Sequence, residues 1–329
     1  VRKTLSVAVF GGLLAVSALA GCGSSDDSAK GGDGGSGDKI VLGFSQVGAE
    51  SGWRTANTES IKASADAAGI TLKFANANGK QEQQIADIRS FITQGVDVIA
   101  FSPVVTSGWD AVLKEAKDAD IPVVLTDRAV DSQDTSLYKS FIGSDFKLEG
   151  KKAGEWLLKQ YEGKNEPVNI VELQGTTGSA PALDRQSGFQ EAIKANPNLK
   201  IVKSQTGDFK RADGKTVMEA FLQSEKDIDV LYAHNDDMGL GAIEAIKAAG
   251  KKPGTDIKII TVDAVKDGMT ALAAGEINFI VECSPLLGDQ LMQTVKKVKA
   301  GESVEQRIVT EETTFTQEQA KEALPTRKY

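Results

Sequence analysis

The chain predicts an α/β protein made of two similar units, and three observations point there. Short apolar runs that do not alternate with polar residues recur from Ile40 to Val281. Amphipathic stretches of helical period separate them. The ordered length of about 290 residues is at the limit of one hydrophobic core, which favours two domains. Apolar strands joined by helices are what parallel sheets covered on both faces require.

The elements follow in order. Ile40–Phe44 reads as the first strand, and a helix runs from Trp53 to Ala68, ended by Gly69. Ile70–Ala75 is the second strand. Over Gln81–Gln94, Ile85, Ile88, Phe91 and Ile92 fall at helical spacing, with Gly95 as the C-cap. Val96–Phe101, a helix over Trp109–Ala119 and strand Pro122–Thr126 repeat the rhythm. A break near Ile142–Asp145 separates the units. The second unit predicts helix Leu148–Tyr161, strand Val168–Leu173, helix Ala182–Ala195, strand Ile201–Gln205 and helix Ala212–Ser224. Strand Val230–Ala233, helix Met238–Ala249 and strands Ile257–Val262 and Ile277–Val281 complete it.

Ahead of this lies a different kind of sequence. Arg2 and Lys3 precede an apolar run from Leu5 to Ala20, and Leu19-Ala20-Gly21-Cys22 closes it. A basic head, a short apolar core and small residues at the cut predict a secretory signal over 1–21. The cysteine after Leu-Ala-Gly resembles a bacterial lipobox, which implies acylation of Cys22 as the mature N-terminus. Residues 23–38 hold no apolar side chain larger than Ala29, so 22–38 is expected to be a flexible, lipid-anchored tether. The folded part is then extracytoplasmic, held to the outer face of the cell membrane.

Charge and cysteine content narrow the function. There are 38 Lys and Arg against 46 Asp and Glu, and loss of Arg2 and Lys3 takes the net charge from −8 to −10. An acidic surface without basic clusters argues against a nucleic-acid partner. With Cys22 acylated, only Cys283 remains, so no intrachain disulfide forms and Cys283 reads as a small buried hydrophobe.

In open parallel sheets ligands bind beyond the carboxyl ends of the strands. There this chain carries Ser51, Trp53 and Arg54 after the first strand, and Asp127 and Arg128 after the fourth. Arg185 opens a helix in the second unit; Phe209, Asn235, Asp263 and Glu282 follow later strands. Acceptor carboxylates and amides beside fork-shaped guanidinium donors suit a polyhydroxylated ligand, whose hydroxyls both donate and accept. Trp53 and Phe209 can cover the C–H face of a sugar ring. Alternatives stand beside this: Asp236 and Asp237 as N-caps, Arg128 as a structural ion pair, Trp53 as core, His234 as structural.

Catalytic and cofactor motifs fail on inspection. Gly214-Lys215-Thr216 lacks the leading glycine of a phosphate loop, and Gly239-Leu240-Gly241 lacks the third glycine of a dinucleotide fingerprint. There is no Gly-x-Ser-x-Gly elbow, Cys–His nucleophile pair or zinc spacing. Asp127, Asp263 and Glu282 offer the carboxylates of a glycosidase, but neighbouring arginines disfavour a general acid. A binding protein without cofactor or metal, not an enzyme, is therefore expected.

Val171-Glu172-Leu173-Gln174-Gly175, Asp208-Phe209, His234-Asn235-Asp236-Asp237-Met238 and Val262-Asp263 resemble the signature segments of the ribose/galactose-type sugar-binding proteins of bacterial ABC importers, of the periplasmic binding protein type I fold. The resemblance covers nearly all of 39–329. Gly43-Phe44-Ser45-Gln46-Val47-Gly48, Glu50-Ser51-Gly52-Trp53-Arg54 and Leu125-Thr126-Asp127-Arg128 are similar to its galactofuranose-binding branch. The resemblance implies two doubly wound lobes joined by a three-strand hinge, 39–143 plus 285–310 and 144–284 plus 311–329. It places Ser51, Trp53, Arg54, Asp127, Arg128, Arg185, Phe209, Asn235 and Asp263 on a monosaccharide ligand, with Glu282 added although the ribose branch has an amide near Glu282-Cys283. It also implies permease and ATPase subunits as partners and a monomeric receptor. Arg54 replaces one of two adjacent aromatics of the ribose branch, which favours a hexofuranose. A sensor for a membrane kinase or chemoreceptor, or a receptor for arabinofuranose, fructofuranose or ribose, is the alternative.

Overall fold

The computed structural model describes residues 39–329. The signal, Cys22 and the tether lie outside the described residues. Among the described residues twelve strands form two sheets of six. The first holds β1 (Val41–Gln46), β2 (Thr71–Asn76), β3 (Val98–Phe101), β4 (Val123–Thr126) and β5 (Ser140–Gly143). The second holds β6 (Val168–Gln174), β7 (Leu199–Thr206), β8 (Val230–Ala233), β9 (Lys258–Asp263) and β10 (Phe279–Glu282). β11 (Arg307–Val309) returns to the first sheet beside β5, and β12 (Thr314–Phe315) to the second beside β10.

The first sheet has the order β2-β1-β3-β4-β5-β11 and the second β7-β6-β8-β9-β10-β12. The two orders are the same, so the halves share one architecture. All pairings are parallel except that of β10 with β12.

Helices cover both faces of each sheet, which explains the unbroken apolar runs. In the first unit Leu42, Phe44, Val98, Ala100 and Val124 pack on one face against Ile61 of α1 (Gly52–Ala68). The alternate residues Ile99, Phe101, Val123 and Leu125 pack on the other, against α2 (Gln81–Thr93) and α3 (Asp110–Asp118). In the second unit Ile170, Val230 and Tyr232 face α4 (Phe146–Gln160) and α5 (Ala180–Ile193). Val171, Leu231 and Ile259 face α6 (Arg211–Ser224) and α7 (Asp236–Ala248). After α8 (Lys266–Ala273), α9 (Gly288–Lys299) sends Leu291 and Val295 into the core of the first unit, and α10 (Gln317–Ala323) sends Ala320 into the core of the second.

The chain thus crosses between units three times: after β5, after β10 and between β11 and β12. Sequence periodicity marks β1, β3, β4, β6 and β8 closely. It gives no boundaries for β5, β11, β12 and α8 to α10. Gln94 is the C-cap of α2, and Gly95 follows it at φ 60°, one position beyond its sequence assignment. Among the described residues no helix is long and apolar enough to cross a membrane.

Candidate functional site

The carboxyl ends of both sheets converge on one narrow cavity, with about 20 Å³ of free space. From the first unit, Ser51 caps α1 and accepts from Arg54 N at 3.1 Å. This turns Trp53 and Arg54, on the first turn of the helix, to the cavity. Arg54 spans two carboxylates, with Nε 3.0 Å from Glu50 Oε1 and Nη2 2.7 Å from Asp127 Oδ2. Asp127 Oδ2 also accepts from Ser102 Oγ at 2.9 Å. Arg128 reaches Glu50 Oε1 at 3.4 Å and donates to Val104 O at 3.1 Å.

From the second unit, Arg185 donates to Glu149 Oε2 at 2.7 Å and to His234 O at 2.6 Å, with Asp263 Oδ1 at 3.8 Å. Its position depends on glycine contacts between α4 and α5. A Cβ at Gly150 would sit 2.1 Å from Arg185 O, and one at Gly188 2.0 Å from Lys147 O. Asn235 caps α7 through Oδ1 to Met238 N at 3.0 Å and donates from Nδ2 to Phe209 O at 3.1 Å. The Phe209 ring lies against Gly175, where a Cβ would come within 1.8 Å of it. The guanidinium of Arg128 stands 5.3 Å from that ring's centre, and Arg54 4.7 Å from Trp53's.

Three lining residues at strand ends have left-handed backbones: Asp127 at φ 60°, Phe209 at 61° and Asp263 at 121°. Such conformations cost about 1–3 kcal/mol each and persist where a site needs a side chain aimed. Contacts across the units close the cavity. Trp53 Nε1 donates to Cys283 O at 2.7 Å, Gly52 N to Asp237 Oδ2 at 2.8 Å, and Thr106 N to Gly178 O at 3.0 Å.

The charge balance identifies the kind of ligand. Arg54, Arg128 and Arg185 are each paired with carboxylates, so no free cation waits for an anion. Burial raises Glu50, but Arg54 and Arg128 outweigh it and hold the carboxyl below its ordinary range. Burial and then the neighbouring Arg54 bring Arg128 down to about 10, still charged at neutral pH. Burial pushes Asp263 up, with Arg185 pulling against it. Glu50 Oε2 and Arg128 Nε are buried without a partner among the described residues. A site that offers acceptors and donors in balance between two aromatic rings fits a neutral polyol.

Nine of the ten predicted residues line this cavity. The tenth, Glu282, lies elsewhere. Its carboxylate accepts from Arg327 Nη1 at 2.7 Å, Tyr329 Oη at 3.0 Å and Thr313 N at 3.2 Å. Successive strand residues point to opposite faces, so Cys283 lines the cavity where Glu282 was expected. Glu50 and Pro181 also line it and were not predicted. The signal for Glu50 was its i, i+4 spacing from Arg54; Pro181 gave none. Asn235, not Asp236 or Asp237, is the α7 N-cap. Asp236 instead accepts from Thr261 and Val265 N, and Asp237 holds Gly52. His234 is structural: its Nδ1 accepts from Gly175 N at 3.4 Å, which leaves Nε2 to donate to Glu172 at 3.1 Å.

Residues 42–303 match the periplasmic binding protein domain family. The chain belongs to that family. The type I fold with two lobes on a three-strand hinge, anticipated from its motifs, is the fold of these proteins. The galactofuranose-binding protein YtfQ of Escherichia coli K12 is 50% identical over 293 residues, 88% of this chain and 92% of that protein. A Mycobacterium smegmatis protein solved with β-D-fucofuranose is 68% identical with a TM-score of 0.87, over 88% of this chain and 95% of that one. The binding protein of the arabinose ABC transporter of Shewanella sp. ANA-3, solved with α- and β-L-arabinofuranose, is 49% identical with a TM-score of 0.85, over 88% and 96%. Periplasmic binding proteins of this type are extracytoplasmic components of sugar uptake rather than enzymes.

Proposed function

We propose that this chain is the lipid-anchored receptor of an ABC sugar importer and captures a furanose, galactofuranose, between its lobes. The observation that carries the reading is that each of the three cavity guanidiniums has a carboxylate beside it, next to Trp53 and Phe209. The relatives support it by chemistry. D-fucose is galactose without O6, and L-arabinose corresponds to galactose without C6. What these ligands share is the five-membered ring and the first exocyclic carbon, and a compact cavity selects on those.

In this reading the lobes are 39–143 plus 285–310 and 144–284 plus 311–329. Ser51, Trp53, Arg54, Asp127, Arg128, Arg185, Phe209, Asn235 and Asp263 hold the sugar, with Glu50 orienting Arg54 and Arg128. Glu282 serves the C-terminal tail instead. Ligand stabilises the closed lobes to the extent that it binds them better than the open ones. Cys22, acylated after removal of 1–21, tethers this monomer through 22–38 near its permease and ATPase.

Titration calorimetry on residues 39–329, stripped of sugar by unfolding and refolding, tests the ligand. Galactofuranose at micromolar Kd or tighter, about −8 kcal/mol, with ribose silent, is the expected result. Tight ribose binding would overturn the choice of sugar, and silence from galactofuranose, fucofuranose, arabinose, ribose and fructose would overturn the sugar reading itself.

A further inference from the structure

The three crossovers meet at one carboxyl group outside the cavity. Glu312 lies on the third, between β11 and β12. Its Oε1 accepts from the Ser144 hydroxyl on the first crossover and, at 2.9 Å, from Ser284 N on the second. Behind it stands Glu149 of α4, whose Oε2 is taken by Arg185. Glu149 Oε1 is buried with no donor among the described residues. An oxygen of each carboxyl lies within 4.8 Å of the other and of Cys283 Sγ.

Two carboxylates this close and largely out of water cannot both stay ionised. Burial without a donor also costs Glu149 Oε1 free energy. One proton on the free oxygen of Glu312 answers both, because the acid O–H then donates to Glu149 Oε1. The neighbouring cations do not supply that neutralisation. Lys152 Nζ bonds the Glu312 main-chain carbonyl at 3.0 Å, and Arg307 Nη2 bonds Ser144 O at 2.7 Å. Arg185 is committed to Glu149 and, farther off, to Asp263. Cys283, whose thiol burial pushes up, contributes no charge. Asp145 lies near Arg307 and draws on that cation in turn.

We infer that Glu312 and Glu149 share a single proton, and that this acid–carboxylate hydrogen bond latches the three crossovers together and ties them through Arg185 to the ligand cavity. Burial, then the Glu149 charge, raises Glu312 to about 9, with Ser144 and Ser284 N pulling the other way. A folded value above the ordinary 4.5 means the latch is fully present at acid pH and is lost as pH rises through about 9.

The test uses the whole folded chain and Glu312→Gln, whose amide can donate to Glu149 while its oxygen keeps the Ser144 and Ser284 contacts. Infrared spectra of the wild type should show, beside any protonated-carboxyl stretch of Asp263, one at neutral pH that disappears through about 9, and the wild-type-minus-variant difference should contain it. Over the same range the wild-type radius of gyration should rise and its Tm fall, while both stay level in E312Q. Glu149→Gln, with its charge removed, should move the loss of the band to lower pH. Absence of the band at neutral pH, an unchanged alkaline transition in E312Q, or one equivalent of a divalent metal copurifying with the chain would each overturn the shared proton.

Discussion

Glu50→Gln isolates the charge balance of the cavity, since it keeps shape and removes one negative charge. Glu50 Oε1 is 3.0 Å from Arg54 Nε and 3.4 Å from Arg128 Nη2. At an effective dielectric near 20, each contact is worth roughly 5 kcal/mol of Coulomb attraction. Neutralising Glu50 also recovers several kcal/mol of its own burial cost. The two guanidiniums, already in opposition, are left to share Asp127. The net loss should be about 3–5 kcal/mol, the range for breaking a buried pair from one side. Urea unfolding of sugar-free protein measures it as a lower midpoint at unchanged slope. Because the pair is buried, added salt should change the difference little. A loss below about 1 kcal/mol, the size of a surface pair, would refute the argument that these groups form a dry, mutually neutralised set.

Three further outcomes follow from the same geometry. Gly175→Ala should push the Phe209 ring off its seat, where a Cβ would stand 1.8 Å from it, costing about 1–3 kcal/mol of stability. Calorimetry should show sugar affinity falling with it. Burial raises the Glu172 carboxyl, but the His234 bond and charge, with Ser204 and Gln186, bring it down to about 2 from 4.5. A depressed value contributes stability above the ordinary carboxyl range that is lost as pH falls toward about 2. The full amount is about 3 kcal/mol. Burial lowers His234 as well, so acid begins to cost below its ordinary 6.5, and unfolding curves of Glu172→Gln across pH should be flatter than wild type between those limits. Glu282→Gln should leave sugar affinity unchanged while hydrogen exchange quickens over residues 324–329, because its partners are Arg327 and Tyr329.

The strands buried on both faces were legible because burial on two sides removes the polar alternation and leaves runs such as Val123–Leu125 apolar throughout. β11 and β12 were not: at three and two residues, they are too short to carry a period, and pairing with a distant strand defines them. α9 carries its apolar residues at helical spacing, yet nothing in that spacing says that it packs beside α1 rather than on the nearer sheet.

The sequence by itself determined which residues stand at strand ends, and strand ends of two similar parallel sheets are where a ligand site forms. Residue type and position also determined the chemistry on offer there, acceptors beside guanidiniums and rings. Only the tertiary structure decided how those groups are shared. Glu282 and Cys283 are adjacent in the chain, but the pleat turns one to the tail and the other to the cavity. Glu312 is 163 residues from Glu149 in the numbering, and only three crossovers meeting at one point bring their carboxyls together. Periodicity is a local property of the chain; a shared proton or a closed cavity is a property of distances between segments that no local pattern encodes.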